Sequence, residues 1–250
     1  MKNALTVSIA LAAALCVNSP AHAATIVDVH RDGYVEDFNR DQAVPLDGVP
    51  DAILDTNALI AGQGEFFDEF NAFRFDDRAI MTFDISPYSG LSLSSATLTG
   101  YGTRGDNSGS FDPITGKFYL YGGDGLVGLD DFDSSATFLG DKSFAADPQS
   151  FDPKLFELDV TSHLQGLLDD PTAHFAEFRV ESDSPSIFIN AGETDGTYSV
   201  DTRWPGPKLA LTFNQVAAVP EPSTLLLLSV GTGLAALLRR KKNKAQEKSS

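Results

Sequence analysis

The sequence predicts an all-β sandwich with one short helix, and three observations predict it. Segments in which apolar and polar residues alternate recur between residues 25 and 213. Those segments are rich in β-branched and aromatic residues, which suit a half-buried pleated surface. Glycine, aspartate and proline stand between them, where the chain must turn. Residues 24 to 214 give enough chain for one sizeable core.

The elements follow in order. Thr25-Ile26-Val27-Asp28-Val29 opens the set. Ala79 to Ile85 is a clear strand, with Ile80 or Met81 and then Phe83 and Ile85 facing inward. Ser94 to Tyr101 follows a Pro-Tyr-Ser-Gly turn, and Lys117 to Tyr121 is another strand. Leu155 to Val160 leads into Thr161, read as an N-cap for a short helix over Ser162 to Leu168. Ala176 to Glu181, Ile187 to Asn190 and Lys208 to Phe213 complete the strands. The stretches 36 to 75 and 122 to 150 are long and do not follow the pattern.

The two ends differ from this pattern. Residues 1–23 carry Lys2, an apolar run from Ala4 to Val17 and a small-x-small site at Ala21-His22-Ala23, the layout of a secretory signal peptide. Cys16 falls within it, so the exported part has no cysteine and no disulfide. At the other end, Thr224 to Leu238 is apolar. At about 1.5 Å per residue it spans roughly 22 Å, short of a hydrocarbon core of roughly 30 Å. Arg239, Arg240, Lys241, Lys242 and Lys244 follow it directly, and such a block stays on the cytoplasmic side. The predicted organisation is a signal peptide (1–23), a sandwich (24–214), a linker (215–222), a transmembrane helix (223–238) and a basic tail (239–250).

Val219-Pro220-Glu221-Pro222-Ser223-Thr224, a short apolar helix and an arginine-rich end together resemble the PEP-CTERM sorting signal. That resemblance implies a Gram-negative bacterium that makes exopolysaccharide. It also implies an exosortase, a membrane protease-transpeptidase that cuts near Pro220-Glu221-Pro222. The alternative for the same residues is an unprocessed anchor.

A second resemblance runs through the middle. Asp32-Gly33-Tyr34-Val35, Arg78 to Ile85, Ser95-Ala96-Thr97-Leu98, Asp159-Val160-Thr161 and Pro207 to Phe213 come in the order seen in jelly-roll modules of the DNRLRE type. Those are similar to carbohydrate-binding modules. The DNRLRE string itself is absent. The resemblance implies a jelly-roll sandwich and carries fold rather than chemistry.

Charge narrows the partners. The chain has 18 basic against 35 acidic residues, and six of the basic ones lie in residues 239–250. Nucleic acid is excluded as an expectation, because phosphate binding needs a basic face. Cations are attracted instead. Asp37-Phe38-Asn39-Arg40-Asp41 begins like a calcium loop, with oxygen ligands at alternate positions. Position six is Gln42 and position twelve is Gly48, with Asp47 beside it, so a full EF-hand is not expected. The expected site is a looser calcium loop of Asp37, Asn39, Asp41 and Asp47. Gly122 to Asp133 is a second acidic, glycine-rich stretch, read as a mobile connection. Asp76-Asp77-Arg78 reads as a local ion pair, worth little if exposed.

Flat side chains stack on sugar rings, which singles out Trp204, the one tryptophan, with Tyr101, Tyr119 and Tyr121 near strand edges and Tyr119 and Tyr121 as its expected companions. The phenylalanines read as core. For catalysis the chain offers no H-E-x-x-H, no G-x-S-x-G and scattered histidines. The sequence therefore reads as a non-enzymatic surface or matrix protein in an exopolysaccharide or biofilm layer. The alternatives are a specific carbohydrate-binding module, or a weak glycoside hydrolase or lyase built on paired carboxylates.

Overall fold

The computed structural model describes residues 24–39, 46–54, 58–67, 72–104, 112–145, 153–183, 187–190 and 204–214. The expected signal peptide, transmembrane helix and Pro220-Glu221-Pro222 motif lie outside them, as does Asp41. Among the described residues no helix is long and apolar enough to cross a membrane.

The strands are β1 (Thr25–Asp28), β2 (Arg31–Asn39), β3 (Ala52–Leu54), β4 (Ala58–Phe67), β5 (Ala72–Asp84), β6 (Leu93–Arg104), β7 (Ile114–Gly123), β8 (Thr137–Phe144), β9 (Lys154–Asp159), β10 (Phe175–Glu181), β11 (Ile187–Asn190) and β12 (Lys208–Phe213). One α-helix, α1 (Thr161–Leu168), and two 3₁₀ turns (Ser86–Tyr88 and Leu129–Phe132) complete the described elements. Every strand pairing is antiparallel.

The strands form one hydrogen-bonded network that folds over itself at β4. β5 organises one side. β2 pairs along one of its edges, while β4 and β10 divide the other. β7 continues from β10, β8 from β7, and β3 flanks β2. β6 organises the second side, with β12 and β11 along one edge and β9 along the other. β1 flanks β12. Ala58 to Ala61 of β4 pair with β11, and Gly62 to Phe67 pair with β5, so this one strand passes from one side to the other.

Alternation along each strand places the core between the two sides. Ala79, Met81 and Phe83 of β5, Ala176, Phe178 and Val180 of β10, and Phe118 and Leu120 of β7 line one wall. Leu98 of β6, Phe156 and Leu158 of β9, and Leu209 and Leu211 of β12 line the other. Phe118 meets Phe156 across the gap with ring centroids 5.3 Å apart. Inward-facing glycines make room for such rings. A Cβ at Gly102 would stand 2.5 Å from the Phe144 ring, and one at Gly100 2.6 Å from Phe156.

The helix joins the start of β6 through side chains. Gln165 accepts from the Leu93 N–H at 2.7 Å and donates to the Leu91 carbonyl, while the Thr161 hydroxyl accepts from Ala96 N–H at 2.9 Å. Thr161 is not the N-cap that the sequence suggested. Val160 holds that position without a side-chain bond, and Thr161 is the first helical residue. Its N–H and hydroxyl both donate to the Asp159 carboxylate, at 2.9 and 2.6 Å, which holds that carboxyl below its ordinary pKa.

The long stretches 36 to 75 and 122 to 150, which did not follow the pattern, contain strands. β3, β4 and β8 and the first four residues of β5 all lie in them. β4 and β8 carry glycine inside the strand, at Gly62, Gly64 and Gly140, which removes the alternation that a sequence reading depends on.

Candidate functional site

The second face of the β5 sheet is covered by its own chain. Alternation points Arg78, Ile80 and Thr82 of β5, Glu177, Arg179 and Glu181 of β10, and Tyr119 and Tyr121 of β7 away from the main core. The connection between β7 and β8, residues 124–136, lies over them. Phe132 is buried there with Val35 and Ile80 as a second, small apolar cluster. The stretch expected to be a mobile connection is thus packed onto the sheet.

Two arginines hold it in place. Arg78 donates to the Phe132 carbonyl and the Asp133 carboxylate, and pairs with Asp76 at 3.2 Å. Its guanidinium lies 3.7 Å from the centre of the Phe132 ring, a cation–π contact. Arg179 donates to the carbonyls of Asp131 at 3.0 Å and Ser134 at 2.9 Å, and pairs with Glu181 at 2.8 Å. The planar fork of arginine suits such multiple acceptance.

Under this clamp lies a carboxyl pair. Glu177 is fully buried and Asp131 nearly so. Gly125 N–H donates to Glu177 Oε1 at 2.9 Å. Asp131 accepts from Tyr121 Oη at 3.0 Å and from Gly128 N–H at 2.7 Å. Burial pushes Glu177 up to about 8; the Gly125 N–H opposes that shift, and the neighbouring Asp131 adds to it. Burial also raises Asp131 and Tyr121. The pair can hold a proton at neutral pH, and both carboxyls are shut away from solvent.

A second buried acid lies on the other face. Asp77 was read with Asp76 and Arg78 as one ion pair, but a strand turns neighbouring residues to opposite faces. Only Asp76 meets Arg78. Asp77 has no hydrogen-bond donor on Oδ1, and burial, then Glu36 and Asp76, push it up to about 8. Burial and the Asp77 and Glu36 charges push Tyr34 up to about 12.

The expected calcium residues lie on and beside β2. Asp37 and Asn39 are in the strand rather than in a loop, on the same face two residues apart. Asp37 Oδ2 accepts from Gly48 N–H at 2.9 Å, which brings the Asp47-Gly48 turn onto the strand end. Asp47 in turn accepts from Val49 N–H. Burial first, with Asp47, Asp51 and Asp76 adding, raises Asp37. Among the described residues no group of three or more acids, histidines or cysteines is placed to hold a metal.

The expected aromatic platform is divided. Tyr119 and Tyr121 stand on the covered face of the β5 sheet. Tyr121 is buried against Asp131, while Tyr119 packs on Phe138 at 5.5 Å. Trp204 packs instead on Tyr101 of β6, centroids 5.3 Å apart and planes tilted by 45°. Its carbonyl accepts from Asn190 Nδ2 at 2.7 Å. Tyr101 points away from the core-facing Gly100 and Gly102, so this pair belongs to the outer face of the β6 sheet. The half-buried Trp204 and Tyr101 have the exposed Leu155 as a cross-strand neighbour of Tyr101.

Sequence reading missed Glu177, Arg179 and Asp131 as a group. The alternation of Ala176 to Glu181 did place Glu177, Arg179 and Glu181 on one face, and three charges along one face of a central strand are a signal in themselves. Their partners lie 45 to 52 residues away, and only the fold brings them together.

Residues 218–242 match the model of the PEP-CTERM protein-sorting motif. No curated protein matches the chain. The motif implies an exported protein that passes through exosortase-type processing at the membrane.

Proposed function

We propose that the protein is a non-enzymatic β-sandwich delivered by its sorting tail to the cell surface or extracellular matrix of a Gram-negative bacterium. There it serves a structural or adhesive role in an exopolysaccharide or biofilm layer. The match of residues 218–242 to the sorting motif carries this reading. The residues of that segment agree with its chemistry: Pro220-Glu221-Pro222 marks the cut, the apolar run holds the chain in the membrane, and the basic tail stops transfer. A β-rich, acidic and cysteine-free body suits a secreted part that depends on packing rather than on disulfides. Calcium at the Asp37, Asn39, Asp41 and Asp47 end of β2 remains part of this reading, since extracellular calcium favours oxygen ligands.

The test is the intact mass of the protein from its native host, cell-bound and released fractions measured separately. A released form ending near Pro220 supports processing and a matrix role. A form running to Ser250 in the membrane alone refutes it.

The Tyr101–Trp204 pair favours a second reading, a specific carbohydrate-binding module of the jelly-roll kind. It is the one aromatic pair among the described residues that includes the tryptophan, and it stands on the outer face of the β6 sheet. Binding to a glycan array that Trp204→Ala abolishes supports this reading. Identical binding by the variant, or none by either protein, removes it.

A further inference from the structure

We propose that the β7–β8 connection is a proton-dependent clasp, closed on the β5 sheet by one proton shared between Glu177 and Asp131 and released when that proton leaves. The geometry of the hydrogen bonds carries the inference. Glu177 Oε1 accepts from Gly125 N–H, and both oxygens of Asp131 have donors, Tyr121 Oη on Oδ1 and Gly128 N–H on Oδ2. Glu177 Oε2 is enclosed and meets no N–H or O–H donor. The side chain that interacts most closely with the Glu177 carboxyl is the carboxyl of Asp131. Two carboxylates repel, whereas a carboxylic acid and a carboxylate form a short, charge-assisted bond. A single proton therefore satisfies this cluster, and its loss leaves two buried negative charges in contact.

The clasp joins two separate parts of the chain. Glu177 belongs to a central strand, and Gly125, Gly128 and Asp131 belong to the connection. The chain approaches the carboxylate so closely that a Cβ at Gly123 would stand 1.9 Å from Glu177 Cδ. Gly125 takes a φ of +84°, the left-handed region where glycine is unstrained, and so aims its N–H at Glu177.

The surrounding charges leave the proton as the neutralising group. From the connection, the charges of Asp124 and Asp131 bear on Glu177, and that of Asp130 bears on Asp131. From β7 comes Tyr121, and from β5 the uncharged Thr82. On β2, Arg31 lies beyond Thr82 and is exposed. On β10 itself Arg179 is committed to the Asp131 and Ser134 carbonyls and to Glu181. His30 lies further off, ring to ring with Phe175 at 5.1 Å. Among the described residues no cationic side chain is bonded to either carboxyl.

Hydrogen exchange on the full chain tests this. Protection at the Gly125 and Gly128 amides is corrected for the intrinsic pH dependence of exchange and read against the core amide of Leu98. The closed form keeps the proton up to about pH 8 and the open form loses it near 4.5, so opening rises with pH between those values. The expected result is a fall in relative protection of tenfold or more between pH 6 and 8, levelling above that. Glu177→Gln presents a permanent N–H to Asp131 and an oxygen to Gly125, so its protection is expected to stay flat. Protection in the unsubstituted chain that does not change between pH 6 and 8 overturns the proposal, and so does the same fall in Glu177→Gln. Should that variant not fold, the profile of the unsubstituted chain alone decides.

Discussion

Replacing Asp77 by asparagine should make the protein more stable at alkaline pH and should leave it little changed at acidic pH. Asp77 lies on the inward face of β5, 6% exposed, with no donor on Oδ1 and with Glu36 and Asp76 nearby. Its carboxyl titrates at about 8 in the folded protein against 3.8 in an open chain. Between those values the folded state holds a proton that the unfolded chain has lost. Stability therefore falls as pH rises through that window and levels above about 8. A separation of roughly four units, at about 1.4 kcal/mol per unit, sets a ceiling of about 6 kcal/mol. Relaxation and water penetration reduce it, and a realised difference of about 1–3 kcal/mol is expected. Asparagine carries no titrating group, so this term disappears. Urea unfolding at pH 5 and at pH 8.5 measures it: the gap in stability between Asp77→Asn and the unsubstituted protein should widen in favour of the variant at the higher pH. An equal gap at both values would refute the reasoning.

Three further outcomes follow from the packing. Phe132→Ala removes the ring from beneath Arg78 and empties the small cluster with Val35 and Ile80, at a cost of about 3–5 kcal/mol in urea unfolding. Gly102→Ala forces a methyl to within 2.5 Å of the Phe144 ring and should cost about 1–3 kcal/mol, relieved when Phe144 is shortened to leucine in the same chain. Gln165→Ala removes the side-chain bonds to the Leu93 N–H and the Leu91 carbonyl and should cost about 1–3 kcal/mol, with faster amide exchange at Leu93 as the local sign.

The parts of the fold that were legible in the sequence are those where alternation is unbroken. Phe175 to Glu181, Ile187 to Asn190 and Lys208 to Phe213 each keep one face apolar, and the structure places strands at β10, β11 and β12. β4 was not legible because it serves two surroundings. Its first residues, including the buried Leu59 and Ala61, pair with β11, and its later ones, with Gly62 and Gly64, pair with β5. The acidic stretch 124–136 was misjudged for a different reason. Aspartates in sequence look solvated, and what buries Asp131 and Phe132 is a pair of arginines on strands far away in the chain. The Asp37-Phe38-Asn39 spacing was read as a ligand loop, yet the same spacing fits a strand that turns Phe38 to one face and Asp37 and Asn39 to the other.

The two buried acids also bear on how an acidic protein tolerates its charge. A chain with 35 acidic and 18 basic residues has few cations to pair with every carboxylate, and two of its arginines, Arg78 and Arg179, are partly committed to backbone carbonyls. Asp77 and Glu177 are neutralised by protons instead, each shifted to about 8. Folding at about pH 6.5 should then take up protons at these two sites, since both are ionised in the unfolded chain. The sites occupy opposite faces of the β5 sheet, so their contributions should add. Refolding in weakly buffered solution with a pH indicator reads the uptake directly. Asp77→Asn and Glu177→Gln should each remove close to one proton per chain, and the double variant both. Uptake that survives the double substitution would mean that other carboxyls carry it and that these two sites do not set the acid preference of the fold.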